Sequence, residues 1–296
     1  MTKTCLLAMI ASLLVPAASA AGSPNPPAEP ISRTVFVTAT DNKGAPITDL
    51  TPADFVVKEG GKEREIAKAE PATARMRLAL AVEERLMADS SVRVGLYEFI
   101  KRLGDTAEVA FITIGLRNTT VVDYTSNLNA HVDAINKFTL NPSKDSQVGE
   151  GILELASRFV EAKPERPVIV AVAISGGQAG VDPRTVTEKV RQSGATMFSA
   201  TLDAGGDVST GVGAMGDHSS REQVLGDGPK QSGGRRVDVP STGAIPKALQ
   251  QIANDLLAQY AITYTLPDGV KPDKRFNIST KRRGVSLRAP SAIPDR

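Results

Sequence analysis

Residues Pro167 to Gly177 read PVIVAVAISGG, the longest β-branched apolar run of the chain, and the run stops abruptly at small residues. Such a run belongs to a strand covered on both faces. Asp182 then supplies an N-cap and Pro183 a first helical position, after which Val186 and Val190 recur at helical spacing up to Gly194. Strand, turn and helix make half of a βαβ unit. In an open parallel sheet, ligands bind where loops leave the carboxyl ends of the strands. Ser175, Gly176 and Gly177 therefore mark the edge at which function is expected.

The same rhythm extends to both sides of this run. Upstream, Arg77 to Val82 (RLALAV) reads as a second buried strand, and Val92, Leu96, Phe99, Ile100 and Leu103 form a helical face that ends at Gly104. Ala107 to Gly115 is the next strand, and Asn118 to Asp123 returns antiparallel at an edge. Two helices follow, one with Leu128, Val132, Ile135 and Phe138, the other with Val148, Ile152, Leu155 and Phe159. Downstream, Thr196 to Leu202 and Arg235 to Val239 read as strands, and Ile245, Leu249, Ile252, Leu256 and Tyr260 share a helical face. Residues 75–259 are thus expected to form a doubly wound, mostly parallel α/β sheet with helices on both faces. Asp203 to Gly234 interrupts it with many glycines and few large apolar residues, so a long flexible loop over 203–234 is expected.

The flanks change period. Thr34 to Thr40, Phe55 to Lys58 and a short run at Ile66 alternate as strands within residues 31–70, with turns at Asp41-Asn42-Lys43-Gly44 and Glu59-Gly60-Gly61-Lys62. Within 260–290, Tyr260, Ile262, Tyr264 and Leu266 alternate, as do Phe276, Ile278 and Thr280. Neither flank suffices as a sheet alone, so the two are expected to pack as one small discontinuous antiparallel β-sandwich into which the α/β domain is inserted.

Residues 1–20 read as a secretory signal peptide: Lys3 is the basic end, Leu6 to Val15 the apolar stretch and Ala18-Ser19-Ala20 the cleavage site. Cleavage removes Cys5, the single cysteine, so an exported, periplasmic or secreted protein with neither disulfides nor thiolate metal sites is expected. The apolar stretch is too short to span a bilayer, so no transmembrane span is expected after cleavage. Residues 21–30, with four prolines, read as an unpacked linker. The charge is nearly balanced and Lys281-Arg282-Arg283-Gly284 reads as a solvated turn, which argues against nucleic acid as a partner.

The stretches VTATDNKGAPITDLTPADFVVKEGGKEREI and SGGRRVDVPSTGAIPKALQQIANDLLAQYAITYTLPDG, with the order of elements between them, resemble bacterial proteins related to the von Willebrand factor type A domain, over residues 31 to 290. The resemblance implies a divalent cation at the carboxyl edge, the metal-ion-dependent adhesion site, held by Asp-x-Ser-x-Ser after the first strand, a Thr before a helix and an Asp after the fourth strand. Carried over by position, the first motif falls on Glu83, Arg85 and Met87, the Thr on Ser146 and the last Asp on Gly176. Glu83 and Ser146 are the residual ligand positions, and magnesium, which demands near-ideal octahedral oxygen geometry, is not expected to bind tightly. Arg85 is expected to stand in for the missing charge by pairing with Glu83 or Glu84. Asp89 with Ser90 and Ser91 reads as a helix cap and not as a shifted metal motif.

No catalytic constellation stands out. There are two histidines: His131 borders an apolar helix face and reads as structural, and His218 lies in the expected loop beside Asp207 and Asp217, a poor zinc site. The reading is therefore a protein that is not an enzyme and needs no cofactor: a binding or scaffold module whose face comprises Glu83, Glu84, Arg85, Ser146, Gln147, Ser175 and Gly176, with a protein partner of unknown identity. The alternative is a magnesium- or calcium-dependent adhesion module with a rebuilt site, recognisable by acidic side chains from 203–234 folding over Glu83 and Ser146. Oligomeric state is not legible.

Overall fold

The computed structural model describes residues 31–139, 146–175, 179–203 and 214–294, with backbone only at 214–219. Residues 1–30, on which the expected signal peptide and linker fall, and Gly176 lie outside the described residues. The strands are β1 Ile31–Thr40, β2 Phe55–Glu59, β3 Lys62–Arg64, β4 Ile66–Pro71, β5 Met76–Glu83, β6 Ala107–Ile114, β7 Asn118–Thr125, β8 Arg166–Ile174, β9 Thr196–Leu202, β10 Arg236–Val239, β11 Gln259–Leu266, β12 Phe276–Thr280 and β13 Ser286–Arg288. The helices are α1 Ser90–Leu103, α2 Leu128–Lys137, α3 Val148–Ala162, α4 Pro183–Ser193, α5 Ala214–Gln231 and α6 Ile245–Leu257. Among the described residues, no helix is long and apolar enough to cross a membrane.

A six-stranded sheet runs β10-β9-β8-β5-β6-β7, parallel except for the antiparallel edge strand β7. Its two faces differ in size of side chain. Leu78, Leu80, Val82, Val168, Val170 and Val172 point into a core closed by α1, α2 and α6. Ala79, Ala81, Ala110, Ala171 and Ala173 point the other way, and these small residues let α3, α4 and α5 settle close to the sheet. The helix ends follow local chemistry: Asp89 accepts from the Ser91 amide at 2.7 Å, Asp182 accepts from the Arg184 amide at 2.9 Å, and Gly194 closes α4 at φ +66°.

The flanking segments form two antiparallel sheets, β13-β1-β11-β4 and β12-β2-β3. β1 and β11 pair from Ile31↔Leu266 to Thr38↔Gln259, so the chain leaves this unit after β4 and returns to its centre after α6. Val35, Val37, Phe55, Val57, Tyr260, Ile262, Tyr264, Leu266 and Phe276 fill the space between the sheets. Tyr260, which the periodicity shares between helix and strand, belongs to the strand: α6 ends at Leu257, and the Tyr260 hydroxyl accepts from the Leu50 amide at 2.9 Å. Within this core Glu59 is buried and takes Arg33 Nη1 at 2.6 Å, the Asp273 amide at 2.8 Å and the Tyr264 hydroxyl.

Arg166 joins the two units. Its buried guanidinium donates to the carbonyls of Ala74 (3.1 Å), Ala72 (3.3 Å) and Leu256 (2.6 Å) and to Gln259 Oε1 (2.9 Å). All four partners sit where the chain passes between the α/β sheet and the sandwich.

The interval 203–234 departs from the sequence reading. It is not a structureless loop: Ala214–Gln231 is helical. Its weak apolar period has a physical origin: among its described side chains, Val224 and Leu225 are the two that join the alanine-lined core. Polar links do the rest: Ser199 Oγ donates to the Leu225 carbonyl at 2.7 Å, Ser232 Oγ accepts from the Met197 amide at 2.9 Å, and Glu222 pairs with Arg236. The side chain of His218, like Asp207, lies outside the described residues.

Candidate functional site

β5 is the strand at which the sheet changes direction of growth: β6 pairs with one of its edges and β8, later in the chain, with the other. Loops diverge at such a switch point and leave a crevice at the carboxyl ends of the strands. Glu83 is the last residue of β5. Its side chain follows Ala79 and Ala81 by the two-residue period of a strand, which directs it to the face covered by α3, α4 and α5. There it is fully buried, at 0% exposure.

Both oxygens of Glu83 are engaged. Oε1 accepts from Ser146 Oγ at 2.7 Å and from Arg85 Nη2 and Nε at 2.8 and 3.2 Å. Oε2 accepts from the Ile174 amide at 2.8 Å and from Arg221 Nη2 at 2.5 Å. Arg221 Nη2 also reaches Ser146 Oγ at 3.4 Å. The Arg221 side chain is 1% exposed and that of Arg85 44%. Arg221 stands one turn ahead of Val224 and Leu225 on α5, so docking of those two residues carries the guanidinium to the carboxylate. Burial pushes the Arg221 guanidinium below its ordinary range; Glu83 opposes this, and the like charge of Arg85 adds to it.

The structure thus brings Glu83, Arg85 and Ser146 together and adds Arg221. Arg85 takes Glu83, not Glu84, as its partner. Glu84 turns its Oε2 toward Gly115, where a Cβ would lie 2.6 Å away. Met87, at a carried-over serine position, is buried in the apolar core. Gln147 precedes α3, and its amide faces Glu150. Ser175 is half-buried, with its amide on the Leu202 carbonyl at 2.8 Å. His131 is buried, with Nδ1 2.9 Å from the Asn127 carbonyl and Nε2 3.0 Å from that of Val109. Two clefts flank Leu116 and Arg117 on this edge. One of about 320 Å³ is lined by Asn118, Gln147, Glu150 and Glu154, and one of about 490 Å³ by Glu84, Thr113, Thr119, Phe138 and Thr139.

A divalent cation does not fit this donor set. Magnesium or calcium asks for about six or more oxygen ligands. Among the described residues one carboxylate and one hydroxyl are offered, the hydroxyl donates to that carboxylate, and two guanidinium groups already occupy the carboxylate. The side chain that the 203–234 interval brings to Glu83 and Ser146, among the described residues, is the basic Arg221.

Arg221 is the residue that sequence reasoning missed. The available signal is local: Ser219-Ser220-Arg221-Glu222-Gln223-Val224-Leu225 is free of glycine and proline inside a glycine-rich interval.

No protein-family model matches the chain, and no curated protein matches it. Among solved structures, proximal thread matrix protein 1 from the mussel byssus, in a form with a zinc-occupied MIDAS motif, is 13% identical over 72% of this chain and 50% of its own, with a TM-score of 0.50. BatB from Bacteroides thetaiotaomicron is 14% identical over 61% of this chain and 97% of its own, with a TM-score of 0.42. An aerotolerance-related membrane protein from Bacteroides fragilis is 14% identical over 61% and 98%, with a TM-score of 0.41. The chain spans half the length of the mussel protein. At these identities the likeness is one of fold: the α/β unit is von Willebrand A-like, alongside an antiparallel β unit.

Proposed function

From a von Willebrand A-like fold, we propose an exported, non-catalytic protein-binding or scaffold module in which the Arg221 guanidinium stands where the resemblance places a divalent cation. The observation that carries this reading is the contact between Arg221 Nη2 and Glu83 Oε2 at 2.5 Å, with both side chains out of solvent. A guanidinium supplies the positive charge that a metal supplies to such a carboxylate, and its directional N–H bonds fix the carboxylate in place. The module then needs no cofactor. The carboxyl edge, with Glu83, Arg85, Ser146, Gln147 and Ser175, is the face for a protein partner. Export rests on the signal-like first twenty residues.

The test is the thermal midpoint of the protein after chelator treatment, with and without millimolar magnesium, calcium or manganese. A cation that binds the native state raises the midpoint. No shift is expected. A rise of several degrees that disappears in Glu83→Ala would replace this reading by cation-dependent adhesion.

A further inference from the structure

One carboxylate at the carboxyl edge serves two guanidinium groups that are not equivalent. Arg221 is 1% exposed, and its departure would strand two buried charges. Arg85 is 44% exposed and touches Glu83 Oε1 through Nε and Nη2, while its Nη1 has no hydrogen bond among the described residues. If Arg85 swings away, Glu83 keeps Arg221, Ser146 and the Ile174 amide. The two guanidinium groups also repel each other across the shared carboxylate. Arg85 is therefore the one member of the cluster that can leave at little cost.

The charges say what it would leave for. Among the described residues, Glu83, Arg85 and Arg221 sum to one excess positive charge, and Glu222 beside Arg221 is paired with Arg236. Nearby Glu84 and Arg117, which line the same cleft, cancel. One added carboxylate closes the cluster to neutrality, whereas a phosphate dianion overshoots it. The cleft of about 490 Å³ that begins at Glu84, the residue before Arg85, offers Phe138 and the 57%-exposed Leu116 beside the hydroxyls of Thr113, Thr119 and Thr139. That lining suits an apolar side chain next to an acid.

We propose that Arg85 is a carboxylate-capturing residue: it exchanges Glu83 for an Asp or Glu side chain of a partner protein, whose flanking apolar residue enters the Leu116–Phe138 cleft. The site works without a metal. This rests on the reading that Arg221 holds the cation position permanently, since only then does Glu83 stay neutralised during the exchange.

The test is a guanidinium-resolved NMR titration of the whole protein in chelator, with N-acetyl-Asp-Leu-amide, its Asn counterpart and inorganic phosphate as probes. The Arg85 Nε–H signal is expected to shift saturably with the Asp probe and about tenfold or more weakly with the Asn probe, the scale of one charge-assisted hydrogen bond. The Arg221 signal should stay in place, and Arg85→Gln should abolish the accompanying shift of the Leu116 and Thr119 backbone amides, which both proteins carry, while moving the thermal midpoint by no more than about one degree. The absence of a saturable shift, equal binding of the two peptides or tighter binding of phosphate would each overturn the proposal, and in chelator none of them touches the role of Arg221. Binding of the Asp probe that appears only after a divalent cation is added would overturn both.

Discussion

Arg221 and Glu83, 138 residues apart in sequence, form a buried ion pair at 2.5 Å that pins helix α5 to the end of the central strand β5. Breaking one partner of a buried pair leaves an uncompensated charge, at a cost of about 3–5 kcal/mol, whereas replacing both by apolar residues of similar size is often nearly neutral. Arg221→Ala and Glu83→Gln are therefore each expected to lower unfolding free energy by about that amount in urea denaturation, and Glu83→Met with Arg221→Leu to recover most of it. A single variant within about 0.5 kcal/mol of the parent would show that the pair is not buried in solution.

Arg85 shares the same carboxylate but is half-exposed, so its contribution is that of a solvated pair. The sequence reading gives it the whole of the missing charge; the structure gives the buried share to Arg221. Arg85→Ala should cost about 1 kcal/mol or less. A loss comparable with that of Arg221→Ala in the same urea experiment would reverse that order.

Asp89 carries a pH dependence that can be isolated. The Thr242 hydroxyl at 2.6 Å, on the segment before α6, and then the Ser91 amide hold its carboxyl below the ordinary value of 3.8. A carboxylate with a lowered native pKa contributes stability that is present above the unfolded value and is lost as pH falls through the native one. The gap in thermal midpoint between the parent and Asp89→Asn should thus be largest at pH 5 to 7 and shrink below pH 3.8. A gap independent of pH would mean that the hydrogen bonds do not favour the ionised form.

Much of the architecture is legible because it rests on local signals. Pro167 to Ile174 shows apolar residues on both sides of a two-residue period, and Asp89, Asp182 and Gly194 show where helices begin and end. The site is legible only in part. Glu83 and Ser146 can be named from motif position, and the structure joins them at 2.7 Å. Arg221 cannot, because its partner is remote and the helix that presents it buries only two aliphatic side chains, Val224 and Leu225, among those described, too few to create a period. The same limit hides Glu59: next to Gly60 and Gly61 it reads as part of a turn, yet the β-unit core holds it through Arg33 and Tyr264.

The last prediction concerns how α5 is kept in place. Its C-terminal end is tied down by the chain after β13: Ser291 donates from its amide and its hydroxyl to the Gln231 carbonyl at 2.8 and 3.1 Å, and Ser232 bridges to Pro290. Gly233 is packed so closely against Ala289 and Pro290 that a Cβ there would lie 2.7 Å from their backbone. Farther on, the Pro294 carbonyl accepts from Arg33 Nη2 at 2.6 Å, so this segment straps α5 to the β-unit. A helix with few apolar contacts opens locally at low free energy unless such ties oppose it. Deleting residues 289–296 is therefore expected to speed amide exchange through Val224 to Ser232 by about tenfold or more while the amides of β5 and β8 exchange as before. Unchanged protection of α5 would mean that Arg221 and the two apolar residues hold the helix without the strap, and equal acceleration across β5 and β8 would mean that the strap supports the whole α/β domain.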